Sequence, residues 1–199
     1  MSIRKNVLRI LTIPERIRNF TLFIIFRFDK WHISPSGNRI YPSAIICHVK
    51  KLYSPDRICE IGCGLGDIIS KLDGKYMVGL DRDNNVLRAA SFLHTKNKAL
   101  HFKRFDFPVS KLEERYDLII AVNWLHGVDE ETIKNIFSKY VINNLNDNGY
   151  LIVDTVDNVK YKYSHNFAEY FSGLDCTITL VGEFPGGRII LSIKKLSSV

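Results

Sequence analysis

Short apolar runs recur along this 199-residue chain, and segments with helical periodicity separate most of them. Five such runs predict buried strands, although the third is weaker than the others. The predicted strands are 57–61, 76–80, 100–104, 116–122 and 150–154. Apolar residues at helical spacing predict one helix at 84–94 and another that begins at its N-cap, Asp129. This alternation favours an α/β domain with a doubly wound, mostly parallel sheet.

Two further β-rich runs lie near the C-terminus, at 176–181 and 188–194. The Gly- and Pro-containing segment 183–187 joins them and predicts an antiparallel β-hairpin. The hairpin brings the number of predicted strands to seven. A turn is expected at 146–149, and a helix is expected to begin at 67–72.

The N-terminal segment has apolar residues at near-helical spacing on both sides of Pro14, which predicts two short basic amphipathic helices. These residues are Ile3, Val7, Ile10 and Leu11 before the proline, and Ile17, Phe20, Phe23, Ile24 and Phe28 after it. We predict a helical arm or lid at 1–50 and a catalytic domain at 51–199. The favoured interpretation is a lid whose apolar side packs on the domain. The alternative is a peripheral helix within 1–28 that contacts anionic lipid.

Charge is concentrated in the same segment. Residues 1–30 hold seven basic and two acidic side chains, so they carry most of the formal net charge of +7. The remainder of the chain is weakly charged, which argues against a broad nucleic-acid-binding face. The uncharged run 19–26 is shorter than the roughly 20 residues of a membrane span and resembles no signal peptide. The four cysteines show no zinc spacing, so we expect no metal site and a reducing, cytoplasmic location. The alternative is a location at the periphery of the membrane.

The segment ICEIGCGLGD, residues 58–67, places three alternate glycines behind an acidic residue at a strand end. Glycines in such a strand-turn-helix unit let the backbone approach a ligand closely. A dinucleotide fingerprint would require a small residue at position 67, where this chain has Asp67. A carboxylate there would repel a pyrophosphate, whereas it suits a cationic ligand without phosphate.

The pattern E-x-G-x-G-x-G at 60–66, with Asp81 closing the next strand, resembles the class I S-adenosylmethionine-dependent methyltransferases. The resemblance covers about 55–195 and implies S-adenosyl-L-methionine as the cofactor. It implies that the glycines line the methionine and ribose part, with Glu60 nearby, and that Asp81 accepts hydrogen bonds from the ribose hydroxyls. The glycines in question are Gly62, Gly64 and Gly66. A carboxylate with two coplanar oxygens suits a vicinal diol.

Further cofactor contacts follow from the same resemblance. Arg82 or Asp83 is expected to flank the adenine, Asp106 to receive its amino group, and Phe107 to offer a ring or a backbone N–H. Asn123 is expected near the methionyl group, and Tyr41, with Arg39, near its carboxylate. Asp81 and Asp106 could also be ordinary turn residues at strand ends, and Tyr41 and Arg39 could be surface turn residues.

Methyl transfer needs the nucleophile, the methyl group and the sulfur in line, and a hydroxyl acceptor also benefits from a general base. His126, just after the fourth strand, is the first candidate for that base. His32, in the segment expected to fold over the cofactor, is the second. Either histidine could instead be structural.

The acceptor is only partly constrained. Asn123 is followed by Trp124 rather than by the Pro-Pro-aromatic sequence of base-amino methyltransferases, which makes a nucleic-acid acceptor less likely. The leading hypothesis is O-methylation of a sugar, a lipid-linked molecule or another small acceptor. The alternatives are an RNA methyltransferase that uses the basic arm as a phosphate clamp, and a non-catalytic cofactor-binding partner subunit. The sequence leaves the oligomeric state open.

Overall fold

A computed structural model describes residues 13–35, 39–52 and 54–197 of the chain. Its α-helices are α1 (Ile13–Phe26), α2 (Tyr41–Leu52), α3 (Asn84–Leu93), α4 (Glu130–Lys139) and α5 (Phe167–Tyr170). Its strands are β1 (Arg57–Ile61), β2 (Tyr76–Asp81), β3 (Leu100–Arg104), β4 (Tyr116–Ala121), β5 (Leu145–Val156), β6 (Cys176–Phe184) and β7 (Arg188–Lys195). Short 3₁₀ helices occur at Lys30–Ile33, Ile69–Lys71 and Leu125–Gly127, and a π-helical turn at Tyr140–Asn144.

The seven strands form one sheet in the order β3-β2-β1-β4-β5-β7-β6. The first five strands are parallel, and β7 runs antiparallel to both β5 and β6. The predicted fold class, a mostly parallel doubly wound sheet with a C-terminal antiparallel hairpin, is therefore confirmed. The strand order reverses between β1 and β4, and sites in open α/β sheets form at such a switch point.

Two hydrophobic clusters cover opposite faces of the sheet. Neighbouring β4 residues show this alternation, because Ile119 belongs to the cluster with Phe137 and Ile120 to the cluster with Ile45. Side chains of successive strand residues point to opposite faces, so an almost continuous apolar run is what a strand buried on both faces requires.

Three local predictions differ from the structure. The helix expected at 67–72 is only a 3₁₀ turn at Ile69–Lys71, after which Leu72 is already extended. The strand expected at 150–154 begins earlier, at Leu145, because that residue pairs with Tyr116 and the predicted turn is absorbed as a bulge. Helix α2 was not predicted; the expected division between residues 50 and 51 lies inside it and stays a prediction.

Of the two helices predicted on either side of Pro14, the structure describes the second, which is α1; the first, around Ile3 to Leu11, lies outside the described residues. Leu22 of α1 and Phe28 beyond it belong to a third cluster, with Cys63 and Leu65 of the glycine turn. This packing places the segment after α1 directly over the turn. Within the described ranges, no helix is long and apolar enough to cross a membrane.

Candidate active site

A cavity of about 320 Å³ opens at the carboxyl ends of β1, β2 and β4, beneath the Lys30–Ile33 turn. Nine of the twelve predicted site residues line it. They are His32, Tyr41, Glu60, Gly62, Gly64, Asp81, Arg82, Phe107 and Asn123. Its volume is within the usual range of small-molecule sites.

The glycine turn is fastened to the end of β2. All three glycines have positive φ, at 75° for Gly62, 54° for Gly64 and 78° for Gly66, a region that is strained for other residues. The N–H of Gly62 donates to the carbonyl of Leu80 (2.7 Å), and the N–H of Gly64 donates to Oδ2 of Asp81 (2.9 Å). The turn and the carboxylate therefore hold each other in place.

An aromatic ring occupies the space that a side chain would need at each of these glycines. A Cβ at Gly62 would clash with the indole of Trp124, and one at Gly64 would lie 2.9 Å from Nδ1 of His32. A Cβ at Gly66 would lie 3.0 Å from the ring of Phe102. Gly66 does not line the cavity, so its geometry is explained by packing, and its expected cofactor contact stays a prediction.

Asp81 is the last residue of β2, and its side chain is buried in the cavity wall beside the glycine turn. Its Oδ1 accepts a hydrogen bond from the N–H of Asp83 (3.1 Å), in addition to the Gly64 bond on Oδ2. Burial raises the pKa of Asp81, and these two hydrogen bonds oppose the shift. The carboxylate is thus oriented by the backbone before any ligand arrives.

Glu60, only 3% exposed, places a second carboxyl group in the cavity wall. Its Oε2 accepts the N–H of Ile69 (3.0 Å). Burial raises the pKa of Glu60 to about 8, the Ile69 hydrogen bond opposes this shift, and the charges of Asp67 and Asp81 add to it. Asp67 also lines the cavity, and burial raises its pKa too. A cation in the cavity would relieve the repulsion among these three groups.

His32 covers the glycine turn from the lid. Its ring lies 3.6 Å, between centroids, from that of Trp31, and both side chains line the cavity. Burial lowers the pKa of His32 to about 4, with the charge of Asp83 opposing this shift and that of Arg39 adding to it. The imidazole is therefore neutral at physiological pH.

Tyr41 and Asn123 form another part of the wall. Nη1 of Arg39 donates to the Tyr41 hydroxyl (3.2 Å), and the guanidinium of Arg188 lies 4.8 Å from the Tyr41 ring centroid. Asp154 accepts the backbone N–H of Asn123 (2.8 Å) and forms a buried ion pair with Arg188. Sequence reasoning missed Asp154 and Arg188; the only signal was their position at the ends of predicted strands.

Asp106 and His126 lie outside the cavity wall. Asp106 is exposed, and its N–H donates to Oγ of Ser110 (3.0 Å), while Phe105 before it lines the cavity instead. The His126 ring packs on Tyr161 at 4.1 Å between centroids, and burial, followed by the charges of Arg188 and His165, lowers its pKa. The predicted roles of Asp106 and His126 stay predictions.

Comparison with known proteins identifies the domain. Residues 59–151 match a protein-family model described as a methyltransferase domain, and this range contains the glycine turn, Asp81 and Asn123. Over these residues, just under half of the chain, the sequence is that of a methyltransferase domain, and the fold is that of the class I S-adenosylmethionine-dependent methyltransferases. No curated protein sequence matches the chain significantly.

Solved structures show the same fold at low sequence identity. The N-methyltransferase NodS from Bradyrhizobium japonicum WM9, in complex with S-adenosyl-L-homocysteine, superposes with a TM-score of 0.67 at 14% identity, over 91% of this chain and 99% of that one. Magnesium protoporphyrin IX methyltransferase from Synechocystis PCC 6803 superposes with a TM-score of 0.64 at 14% identity, over 78% of this chain and 82% of that one. TehB from Haemophilus influenzae superposes with a TM-score of 0.61 at 15% identity. The match covers 77% of this chain but only 62% of TehB.

S-adenosylmethionine is the cofactor of this methyltransferase domain, and the donor set fits it. The molecule carries a ribose diol, a cationic sulfonium and an amino acid with both charges. The cavity offers Asp81 to a diol, Glu60 and Asp67 to positive charge, and Arg39 to a carboxylate.

Proposed function

We propose that this protein transfers a methyl group from S-adenosylmethionine to a hydroxyl of a small acceptor, a sugar or a lipid-linked molecule. The observation that carries the proposal is the position of His32, whose imidazole lies against Gly64 in the cavity that Asp81 also lines. When bound, the cofactor supplies an electrophilic methyl group on a sulfonium. The four cysteines form no disulfide, which supports the proposed cytoplasmic location.

The residues of the cavity have separate tasks in this proposal. Asp81 binds the ribose hydroxyls, Glu60 offsets the positive charge near the methyl group, and Arg39 with Tyr41 binds the methionyl carboxylate. Asn123 accepts a hydrogen bond from Arg188 and contributes its amide group at the end of β4. Holding the reactants in line is the largest part of the work, because the donor already carries its leaving group.

A hydroxyl acceptor loses its proton during transfer, so a neutral imidazole in the cavity has a direct use. His32 is neutral and lines the cavity, whereas His126 packs on Tyr161 outside the wall. We therefore assign the general base to His32. A carboxylate or thiolate acceptor carries no proton to lose and would not need such a group.

The first test is calorimetric binding of S-adenosylmethionine, followed by a screen of sugar, lipid-linked and RNA acceptors with labelled methyl. Once an acceptor is found, we compare His32→Asn with the matched variant His126→Asn. Loss of general base catalysis is expected to lower kcat about 10²-fold in His32→Asn, the lower end of such effects because a pKa of about 4 makes His32 a weak base, with cofactor affinity changed by less than about tenfold. The His126→Asn variant should keep most of its kcat; equal losses in both variants would refute the assignment of His32.

A further inference from the structure

Helix α1 turns a line of large apolar side chains toward solvent. Ile13, Ile17, Phe20 and Ile24 follow one another at intervals of four, three and four residues, which places them on one side of the helix. We refer to these four residues as the outward stripe. Their exposed fractions lie between 48% and 62%.

The opposite side of α1 is packed on the domain. Asn19 and Leu22 are its buried residues, and Leu22 packs with Phe28, Cys63 and Leu65 in the third hydrophobic cluster. The helix therefore cannot rotate to bury the outward stripe without losing this packing. Contiguous apolar surface of this kind on a folded protein marks an interaction site.

Positive charge accompanies the outward stripe. Arg16 lies on the helix between Ile13 and Ile17 and is exposed, and exposed Arg27 and Lys30 follow the end of the helix. Two copies of the chain that met through this face would bring these like charges together, whereas an anionic surface would attract them. RNA would satisfy the charges but would leave the apolar side chains in water.

Ring contacts connect this face with the mouth of the cavity. Phe20 lies 6.3 Å from Phe23, Phe23 lies 5.9 Å from Phe28, and Phe28 lies 5.9 Å from His32. His32 in turn packs on Trp31, which is half exposed and lines the cavity. The cavity is thus reached from the outward stripe within a short series of contacts.

We propose that the outward stripe lies in the interface of an anionic lipid bilayer, so that the cavity receives an acceptor that is itself anchored in the membrane. An amphipathic helix with basic residues beside its apolar side binds such interfaces through apolar burial and attraction to anionic headgroups. The identity of the acceptor rests on the proposed methyl transfer, but the membrane contact does not.

The test is flotation of the full chain with vesicles of phosphatidylcholine alone and of phosphatidylcholine mixed with phosphatidylglycerol. The chain should float only with the mixed vesicles. The double variant Ile17→Glu/Ile24→Glu should bind them at least about tenfold more weakly, because two buried side chains are lost and two negative charges are added. The double variant Val109→Glu/Leu180→Glu has the same charge change at positions that are 81% and 54% exposed elsewhere, and it should bind more tightly than the stripe variant.

Intrinsic fluorescence supplies a second measurement that needs no change in α1. In a Trp124→Phe background, the emission of Trp31 should shift to the blue when mixed vesicles are added, since the half-exposed ring would enter a drier environment. Circular dichroism and a thermal melt check that each variant is folded, because Trp124 itself lines the cavity.

Several results would overturn the proposal. The first is equal vesicle binding by the stripe variant and its control, and the second is failure of the native chain to bind either kind of vesicle. The third is a dimer of the native chain that persists in the control variant and is lost in the stripe variant. Vesicle binding that persists without any methyl transfer would instead contradict the proposed function and leave the membrane contact standing. Binding to RNA but not to vesicles would assign the basic residues to a nucleic acid and would also overturn it.

Discussion

Arg188 donates a hydrogen bond from Nη2 to the side-chain oxygen of Asn123 (3.1 Å), although 65 residues separate the two. Asn123 adopts a φ of 75°, a conformation that asparagine tolerates better than most residues. Because Arg188 occupies the amide oxygen and Asp154 the backbone N–H, the amide nitrogen is the group of Asn123 available to the cavity. The C-terminal hairpin thereby orients a residue at the end of β4.

The buried pair of Arg188 and Asp154 gives the first prediction. Replacing Arg188 by Met leaves the Asp154 carboxylate buried and uncompensated, so we expect the free energy of unfolding to fall by about 3–5 kcal/mol. The double variant Arg188→Met/Asp154→Asn should lose less than the single variant, because no unpaired charge remains. Urea denaturation measures both.

Lys75→Met is the matched control for this prediction. It breaks an ion pair with Asp56 in which both side chains are largely exposed, so little change in stability is expected. A similar loss in Lys75→Met and Arg188→Met would show that burial of the pair is not what makes it important.

The second prediction concerns Asp81 and separates it from Asp106. Asp81→Asn should weaken the binding of S-adenosylmethionine and of S-adenosylhomocysteine by similar factors, since both molecules carry the ribose. Loss of hydrogen bonds to a charged group corresponds to about 10- to 100-fold. Asp106→Asn, at an exposed position outside the cavity, should have a smaller effect in the same calorimetric titration. An equal effect would restore the contact that the resemblance implies for Asp106.

Glu60 gives a third prediction, on stability and pH. Its pKa is about 8 in the folded protein against 4.5 ordinarily, so between these values the folded state binds a proton that the unfolded chain has released. This contribution is fully present below pH 4.5 and is lost as pH rises through 8. Without cofactor, the free energy of unfolding should therefore fall by up to about 1.4 kcal/mol per pH unit across this window. Glu60→Gln should flatten the profile, and an unchanged slope would exclude Glu60 as its source.

The same group predicts a pH-dependent cofactor affinity. Ionised Glu60 attracts a sulfonium, so the affinity for S-adenosylmethionine should rise between pH 6 and pH 8, more steeply than that for S-adenosylhomocysteine, which lacks the sulfonium. Titrations in buffers of different ionisation enthalpy would count the protons released on binding. In Glu60→Gln, the two ligands should show the same pH dependence.

The contact of Gly64 with His32 gives a fourth prediction. Gly64→Ala introduces both a strained backbone and a Cβ 2.9 Å from Nδ1 of His32. Gly173→Ala introduces only backbone strain, because no atom lies within 4 Å of its new Cβ and its φ is 91°. We expect Gly64→Ala to lower the free energy of unfolding by a further 1 kcal/mol or so, since overpacking adds to strain. Adding His32→Ala should remove part of that excess, and strict additivity would contradict the contact.

The sequence was sufficient to predict the frame of the site. Asp81 and the glycine turn were assigned correctly to the ends of two strands, because a strand buried on both faces is nearly continuous in apolar residues and a polar residue marks where it ends. The contacts of Arg188 with Asn123 and Tyr41 could not be predicted, since they depend on how β7 pairs with β5 in the folded sheet. The rings of Trp124, His32 and Phe102 beside the glycines could not be predicted either, because they come from separate segments that only the folded chain brings together.

The orientation of α1 was also beyond the sequence. Helical spacing predicted the helix, but both of its sides are apolar, with Leu22 and Phe23 on one and Ile17 and Ile24 on the other. Periodicity reports that apolar residues share a side; it does not report which side meets the protein when both are apolar. The favoured interpretation, that the apolar side packs on the domain, describes the Leu22 side and not the outward stripe.

The packing of Leu22 and Phe28 against Cys63 and Leu65 determines what can be removed from this protein. A version shortened to begin at α2 would leave part of the third cluster exposed to water and would strip His32 from the glycine turn. The lid and the sheet therefore belong to one cooperative unit, which should melt in a single transition.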